Sequence, residues 1–233
     1  MRCVVFGGSS GIGAATVRLF AARGAEVVAV ARDAGRLAGR LAGLAGVTTL
    51  AADARDPNAL ARLAGSLGSF DHLVLSIAGG AALGPFTQLS TEALLGSIAG
   101  KALPYVEATR LLAPQLRPGG SVTWVTGLAA QRAVPGAASL AAVNGLLEGM
   151  LPTLAVELAP IRINAVSPGH TATEAWSRLP AGLGERLAAE AAAGTPLGRV
   201  ATPADVADAV YAMTTSPFLT GVIIPCDGGR RLR

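Results

Sequence analysis

The sequence predicts an α/β fold, in which helices cover both faces of a doubly wound parallel sheet of about seven strands and so form three layers. Two observations predict it. Strand-like apolar runs alternate with helical patterns from one end of the chain to the other, and the connections between them are short. The strand-like runs are also nearly continuously apolar, which is typical of parallel strands buried on both faces.

The first half of the chain supplies four predicted strands and three predicted helices. The first strand contains Cys3-Val4-Val5-Phe6, and the helix after it is apolar at Val17, Leu19 and Phe20. Pro57 favours a helix start directly after it. The predicted strands are 1–6, 26–31, 47–51 and 72–77, and the predicted helices are 13–23, 34–45 and 58–67.

The second half continues the alternation with longer helices. Its predicted helices are 91–116, 140–158 and 204–214, and its predicted strands are 122–125, 161–166 and 222–225. Strand–helix alternation of this kind joins parallel strands through right-handed crossovers.

One domain accounts for the chain, residues 1–233, because no repeat or interdomain linker interrupts it. The least regular segment is 173–200. It carries a short helix rich in Ala and Glu, flanked by Pro180, Gly182, Gly184, Gly194 and Pro196. We interpret this segment as a lid over the ligand crevice; a surface excursion without function is the alternative.

Composition argues against several classes of function. The formal net charge is +4 and the pI is about 9.8, but the arginines are scattered and no basic run stands beside aromatic residues. Only Arg230, Arg231 and Arg233 cluster, and a solvated terminus explains them. We therefore expect no nucleic-acid partner.

The two cysteines, Cys3 and Cys226, lie in or beside apolar stretches and show no CxxC spacing. Reduced, buried thiols of a cytoplasmic protein are the expectation, with no metal site. The chain enters its first strand at once, without a signal peptide. We also expect no membrane partner, because Gly, Pro or charge interrupts each apolar run before it is long enough to span a bilayer.

A glycine-rich turn between the first strand and the first helix is typical of a phosphate site. It reads Gly7-Gly8-Ser9-Ser10-Gly11-Ile12-Gly13. Glycine permits close backbone approach, and the helix after it offers free N–H groups and a positive dipole end to a pyrophosphate. Ser9 and Ser10 can add hydroxyl donors. A glycine-rich turn without a ligand is the alternative.

The spacing G-x-x-x-G-I-G resembles the phosphate loop of the short-chain dehydrogenase/reductase family, and the likeness covers essentially the whole chain. Further segments that resemble the family are Ser167-Pro168-Gly169 with Thr173, Pro196-Leu197-Gly198-Arg199, Pro203-Ala204-Asp205-Val206-Ala207, Thr220-Gly221 and Asp227-Gly228-Gly229. The resemblance implies a Rossmann fold and a nicotinamide cofactor. It places Pro168, Gly169, Thr171 and Thr173 beside that cofactor.

The end of the second strand favours NADP(H) over NAD(H). Ala31 stands where NAD-preferring members of the family carry Asp, and Arg32 follows it. A guanidinium pairs with a 2′-phosphate through a planar fork. A solvated Arg32 is the alternative, and Asp33 beside it opposes the preference.

The resemblance adds further contacts to the cofactor. Asp53 matches the family's adenine-contacting acid, and Ala78-Gly79 match the end of its Asn-Asn-Ala-Gly stretch. That stretch reads Ser76-Ile77-Ala78-Gly79, so both asparagines are missing, and Phe6 replaces the usual Thr before the loop. These departures weaken supporting hydrogen bonds more than the pocket itself.

The family's four catalytic positions carry other residues in this chain. By local sequence, Leu140 stands for the Tyr, Asn144 for the Lys and Gly127 for the Ser. Lys101 stands for the Asn, counting back from the end of the long helix. Because leucine cannot donate a proton and glycine cannot orient a carbonyl, the family's usual reductase mechanism cannot operate.

Three polar residues remain as tentative catalytic candidates. Lys101 can act as a general acid or an electrostatic stabiliser, unless it is an ordinary surface lysine. Thr126 offers a hydroxyl or merely caps a strand end, and Asn144 can bond a ribose hydroxyl. Tyr105 lies one turn beyond Lys101 and shares its face or packs at a subunit contact.

Other side chains are weaker candidates. His170 lies near the nicotinamide end or is a plain loop residue, and His72 lies away from the phosphate loop. Trp176 shapes an apolar substrate pocket, while Trp124 is better explained as core.

Three functions fit these residues. The first is an NADP(H)-dependent oxidoreductase acting on a small apolar carbonyl or alcohol by a nonstandard mechanism. The second is a non-redox isomerase, dehydratase or cyclase, and the third is an inactive protein that senses NADP(H). The family commonly pairs through its two long helices, so we expect a homodimer or homotetramer.

Overall fold

Seven parallel strands form one sheet through the part of the chain that the computed structural model describes, residues 1–174, 176 and 182–233. The strands are β1 (Arg2–Phe6), β2 (Glu26–Ala31), β3 (Val47–Ala51), β4 (Phe70–Leu75), β5 (Leu116–Val125), β6 (Arg162–Pro168) and β7 (Ile223–Cys226). Their order is β3-β2-β1-β4-β5-β6-β7. Strands are therefore added in one direction from β1 to β3 and in the opposite direction from β4 to β7. The crevice between β1 and β4, at their carboxyl ends, is where folds of this type bind ligands.

Eight α-helices occupy the two faces of this sheet within the described residues. They are α1 (Gly11–Ala22), α2 (Ala34–Leu41), α3 (Pro57–Leu67), α4 (Thr91–Ser97), α5 (Leu103–Leu112), α6 (Ala138–Glu157), α7 (Leu183–Ala193) and α8 (Pro203–Thr215). Helices α3, α5 and α6 pack on one face, and α1, α2 and α8 pack on the other. The predicted three-layer, doubly wound fold is confirmed.

Alternation along each strand divides the core between the two faces. In β1, Val4 and Phe6 face the α3–α5–α6 side, whereas Cys3 and Val5 face the α1–α2–α8 side. Successive side chains of a strand point to opposite faces of the sheet. Since both faces are covered, the strand is apolar at every one of these positions.

The long helical stretch predicted over 91–116 runs without interruption to Gln115, but it is not one regular α-helix. Helix α4 ends at Ser97, a π-helical turn spans Ile98–Ala102, and α5 ends at Leu112 before a short 3₁₀ turn over Ala113–Gln115. Pro104, at the start of α5, lacks the N–H that would bond the carbonyl of residue 100 in a regular α-helix. Strand β5 then begins at Leu116, six residues earlier than 122–125 predicts, because Leu116 pairs with Phe70 of β4.

Helix α6 corrects a second expectation. Its 20 residues are long and apolar enough to cross a membrane by length and composition, where the sequence led us to expect no such run. One side of the helix explains the apolarity, because Val143, Leu147 and Leu151 are buried in the core beneath it.

The proposed lid segment, 173–200, contains the predicted helix rich in Ala and Glu, which is α7. Residues 175 and 177–181, including Pro180, lie outside the described residues. The function of the segment as a lid stays a prediction.

Candidate active site

The phosphate loop joins β1 to α1 at the carboxyl end of the central strand. A Cβ on Gly13 would lie 2.2 Å from the carbonyl oxygen of Gly7, so only glycine lets the first turn of α1 pack against the loop. Ser10 is the N-cap residue of α1, and its side chain makes no capping hydrogen bond. The N–H groups of this turn are therefore directed to the mouth of the crevice.

Arg32 and Asp53 follow β2 and β3, where the resemblance leads us to expect the adenosine part of the cofactor. Arg32 is exposed directly after β2, and Asp33 is explained locally because its carboxylate caps α2 by accepting from the backbone N–H of Arg36 at 2.9 Å. Asp53 is paired with Arg55, whose Nη2 lies 2.6 Å from Oδ2. This hydrogen bond, which outweighs partial burial, holds the pKa of Asp53 below its usual value.

Ala78 and Gly79 follow β4 and meet the π-helical turn. A Cβ on Gly79 would lie 2.7 Å from the backbone carbon of Gly100 and 2.8 Å from Cβ of Lys101. Glycine at this position thus allows the loop after β4 to touch the turn that carries Lys101. π-helical turns are often found at functional sites.

Lys101 projects from the π-helical turn towards the ends of β5 and α6. Its Nζ donates to the backbone oxygen of Thr126 and to Oδ1 of Asn144, both at 2.9 Å. It also lies 5.6 Å from the ring centroid of Tyr105. The structure therefore gathers the three tentative catalytic residues, Lys101, Thr126 and Asn144, at one place.

Desolvation dominates the electrostatics of Lys101. Removal from water lowers its pKa to about 8, and the negative charge of Glu148 opposes that shift. A lysine with a pKa near 8 exchanges its proton close to neutral pH, which suits a general acid.

Glu148 belongs to this buried cluster, and the sequence analysis missed it. It is almost fully buried; Oε1 accepts from the Thr126 hydroxyl at 2.7 Å, and Oε2 accepts from Nε2 of Gln131 at 3.0 Å. The available signal was its spacing, since position 148 lies one helical turn after Asn144 on the same face of α6. The Thr126 hydroxyl is thereby committed to Glu148 and oriented by it.

Asn144 is buried, with 1% of its surface exposed, and Nδ2 has no hydrogen-bond partner among the described residues. A Cβ on Gly127 would lie 3.0 Å from this nitrogen. The amide therefore extends into the space that a side chain at position 127 would need. A buried N–H donor without an acceptor is costly, which points to an acceptor supplied by a ligand.

Leu140 lies one turn before Asn144 on α6 and is half-buried. It adds apolar surface beside the Asn144 amide and has no proton to give.

The segment after β6 approaches the phosphate loop. Gly169 donates its backbone N–H to the Cys226 oxygen at 3.0 Å, and the Thr171 hydroxyl donates to the Gly169 oxygen at 3.1 Å. A Cβ on Gly11 would lie 3.1 Å from Cγ2 of Thr173. Thr173 thus lies beside the phosphate loop. The contact of Thr173 with a cofactor stays a prediction.

Several other candidates lie outside this cluster. The Tyr105 hydroxyl is buried and donates to the Val125 oxygen at 2.8 Å, so Tyr105 is neither a free acid nor a surface residue. Trp124 is core, as predicted, with Nε1 donating to the Thr109 hydroxyl at 3.0 Å.

The two histidines also lie outside the cluster. His72 lies within β4, and its Nδ1 is 2.9 Å from the Ser121 hydroxyl. His170 packs edge-on against Trp176 with 6.3 Å between ring centroids.

A groove of about 510 Å³ borders the cluster on the loop between β5 and α6. Its lining is mainly apolar and includes Phe86, Ala129, Val134 and Ala141. Gln131 lines the same groove and donates to Glu148, so the groove and the buried cluster share a side chain.

Known proteins match this chain in sequence and in fold. Residues 7–231 match the family described as enoyl-(acyl carrier protein) reductase. The chain belongs to this family of short-chain dehydrogenases/reductases, a family of oxidoreductases.

Individual relatives are similar over their full length. L-xylulose reductase from Bos taurus is 30% identical, and the match covers 98% of this chain and 95% of the relative. A small-chain dehydrogenase solved in complex with NADPH is 28% identical with a TM-score of 0.88, covering 100% of this chain and 99% of that one. An NADPH-bound short-chain oxidoreductase from Pseudomonas aeruginosa PAO1, described as containing an atypical catalytic center, is 28% identical with a TM-score of 0.90, covering 98% and 95%.

Proposed function

We propose that this protein is an NADP(H)-dependent oxidoreductase that acts on a small apolar carbonyl or alcohol by a nonstandard mechanism. The observation that carries the proposal is the buried Asn144 amide, which is bonded to Lys101 on its oxygen side and lacks an acceptor for its Nδ2 among the described residues. The NADPH-bound relatives support the choice of cofactor.

Residues of this chain fit the cofactor at four points. The N-terminus of α1, with Ser9, Ser10 and Ile12, would hold the pyrophosphate. Arg32 would pair with the 2′-phosphate, and Asp53 would lie at the adenine. The Nδ2 of Asn144 would donate to the nicotinamide ribose, giving the buried donor its acceptor. When bound, the cofactor supplies the hydride.

Lys101 takes over the electrostatic part of the reaction. Its ammonium donates to Oδ1 of Asn144, and such a bond polarises the amide so that the two Nδ2–H groups become stronger donors. An oxygen that gains negative charge beside Nδ2 is therefore stabilised by the lysine through the amide. Lys101 can also donate a proton at this site, because its Nζ bonds to both Asn144 and Thr126 and its pKa is about 8.

The apolar residues of the site select the substrate. Leu140 and the groove lined by Phe86, Ala129 and Val134 offer few hydrogen bonds, which favours a substrate with an apolar body and one polar oxygen. Exclusion of water by these residues also strengthens the electrostatic effect of Lys101.

We also propose that the chain forms a homodimer or homotetramer. Large apolar side chains are exposed on the helices expected to pair: Leu95 on α4, Leu103 on α5, and Leu146 and Val156 on α6. Such a surface favours association. Light scattering at micromolar concentration is expected to give a multiple of the 23.2 kDa chain mass, and a monomer would contradict this.

The decisive experiment is a cofactor titration followed by turnover. Purified protein is titrated with NADPH and NADH under cofactor fluorescence, and then mixed with a panel of aldehydes and ketones under absorbance detection. We expect NADPH to bind more tightly and at least one carbonyl to oxidise it. Product without absorbance change would favour the isomerase, dehydratase or cyclase hypothesis. NADPH binding with no product would favour the sensing protein, and no binding of either cofactor would overturn the proposal.

A further inference from the structure

A carboxylate from the chain itself lies at the phosphate loop. The backbone N–H of Gly11, at the start of α1, donates to Oε2 of Glu174 at 2.9 Å. The other carboxylate oxygen, Oε1, is paired with the guanidinium of Arg40 on α2. Glu174 follows directly on Thr173, in the segment after β6.

This carboxylate uses the same physical features that would bind a cofactor phosphate. An N–H group at a helix N-terminus and a nearby guanidinium are the standard partners of an anion. Burial pushes the pKa of Glu174 upwards, but backbone hydrogen bonds, including that from Gly11, and the charges of Arg40 and Arg36 hold it below its usual value. Glu174 is therefore an anion at neutral pH.

We propose that Glu174 competes with the cofactor's phosphates for the N-terminus of α1, and that Arg40 is a phosphate ligand which Glu174 holds in place until the cofactor binds. This inference rests on the proposed NADP(H) function and adds two residues to it. Because one N–H cannot serve both anions, cofactor binding must break the bond from Gly11 to Glu174.

The position of Arg40 supports its part in this exchange. Its side chain extends from the last turn of α2 to Glu174, whose other carboxylate oxygen accepts from Gly11 at the start of α1. The backbone oxygen of Arg40 accepts from Arg18 of α1 at 2.8 Å. The side chains of Arg40 and Glu174 are 39% and 38% exposed, so water and salt weaken the pair without abolishing it. The pair therefore weakens cofactor binding moderately but does not prevent it.

The test is a fluorescence titration of the wild type and Glu174→Gln with NADPH. Glutamine keeps the shape of the side chain but removes the charge, so we expect the Kd for NADPH to fall about tenfold. Glu26→Gln, at the start of β2, removes the same charge from an exposed position at the opposite end of the sheet and is expected to leave the Kd unchanged. In the Glu174→Gln background, Arg40→Gln is expected to raise the Kd again.

Each outcome decides the question. A Kd for Glu174→Gln equal to or above the wild-type value would overturn the competition, and an unchanged Kd on adding Arg40→Gln would overturn the role of Arg40. Calorimetry with inorganic pyrophosphate separates this inference from the proposed function. Tighter pyrophosphate binding by Glu174→Gln, with no NADPH binding by either protein, would support the competition while overturning the NADP(H) assignment.

Discussion

The ammonium group of Lys101 donates a 2.9 Å hydrogen bond to Oδ1 of Asn144, joining the π-helical turn to α6. The family resemblance assigns asparagine to the first of these positions and lysine to the second. The two residue types are thus exchanged, and the pair keeps one cation and one amide while reversing which helix carries each. Relative to that resemblance, the exchange preserves the charge of the pair but moves it from α6 to the π-helical turn.

Replacing Lys101 by methionine tests the role of this charge. Loss of the ammonium removes the polarisation of the Asn144 amide, so we expect kcat for the best carbonyl substrate to fall about 100-fold. The Kd for NADPH is expected to change less than threefold, since Lys101 is not assigned to the cofactor. Steady-state kinetics and a fluorescence titration measure the two effects, and equal loss of binding and turnover would argue for a purely structural lysine.

The pH dependence of turnover tests the coupling between Lys101 and Glu148. If the protonated lysine is required, kcat/KM falls as pH rises through about 8. The carboxylate of Glu148 favours the charged lysine, so Glu148→Gln lowers the lysine pKa further and shifts this fall to lower pH. A pH profile of both proteins measures the shift. The titratable side chains facing Lys101 among the described residues are Glu148 and Tyr105, and Tyr105 stays protonated because burial raises its pKa.

A methyl group at position 127 tests the crowding around Asn144. Gly127→Ala places a Cβ 3.0 Å from Nδ2, so we expect the free energy of unfolding to fall by about 1–3 kcal/mol. In an Asn144→Ala background the space is empty and the same change is expected to cost less. Urea denaturation of the four proteins of this cycle gives the coupling, and strictly additive effects would mean that the two positions do not interfere.

Arg32→Ala tests the cofactor preference. Removing the guanidinium that would pair with the 2′-phosphate is expected to raise the Kd for NADPH about tenfold and to leave the Kd for NADH nearly unchanged. Arg62→Ala on α3, which removes another exposed arginine, serves as the control for net charge. Equal weakening of both cofactors by Arg32→Ala would show that Arg32 contributes only a general positive field.

His72 makes stability depend on pH. Burial lowers its pKa to about 4 from 6.5, against the opposing charge of Asp71. Between these values the unfolded chain binds a proton that the folded chain refuses, so stability falls as pH decreases through this window, by at most about 3 kcal/mol. Urea denaturation at pH 7 and pH 5 measures the change. His72→Asn does not titrate and is expected to show a smaller difference between the two pH values.

Sequence patterns predicted the sheet well because periodic burial dictates it. The strands 26–31 and 47–51 match β2 and β3 residue for residue. Burial explains the match for β2, where Val27 to Val30 are all buried, whereas β3 is an edge strand without a buried residue. The π-helical turn at Ile98–Ala102 was not predictable in this way, because the apolar pattern of the helix continues through it. Local sequence identified Lys101 and Asn144 as neighbours of the site by resemblance, but only the fold brings them into contact.

The two missed carboxylates differ in how far they lie from their partners. Glu148 bonds to Thr126 and Gln131, which lie 22 and 17 residues before it, whereas Glu174 bonds to Gly11 and Arg40, which lie 163 and 134 residues before it. No local pattern marks Glu174 as the partner of groups that lie more than a hundred residues away. Asp33 shows the converse, because its carboxylate caps α2 by accepting from the backbone N–H of Arg36, only three residues away.

The π-helical turn at Ile98–Ala102 gives this protein a short evolutionary route between site chemistries. Such a turn holds about one residue more than an α-helical turn, so deleting the residue after Lys101 would tighten it towards α-helical geometry, in which Pro104 still donates no hydrogen bond. Each residue of an α-helix advances about 100° around the axis, and the deletion would swing the part of the helix before it by that angle relative to α5. Lys101 would leave Asn144 without any side chain having mutated. Insertion or deletion of one residue in this turn is therefore enough to change which side chains meet at the site.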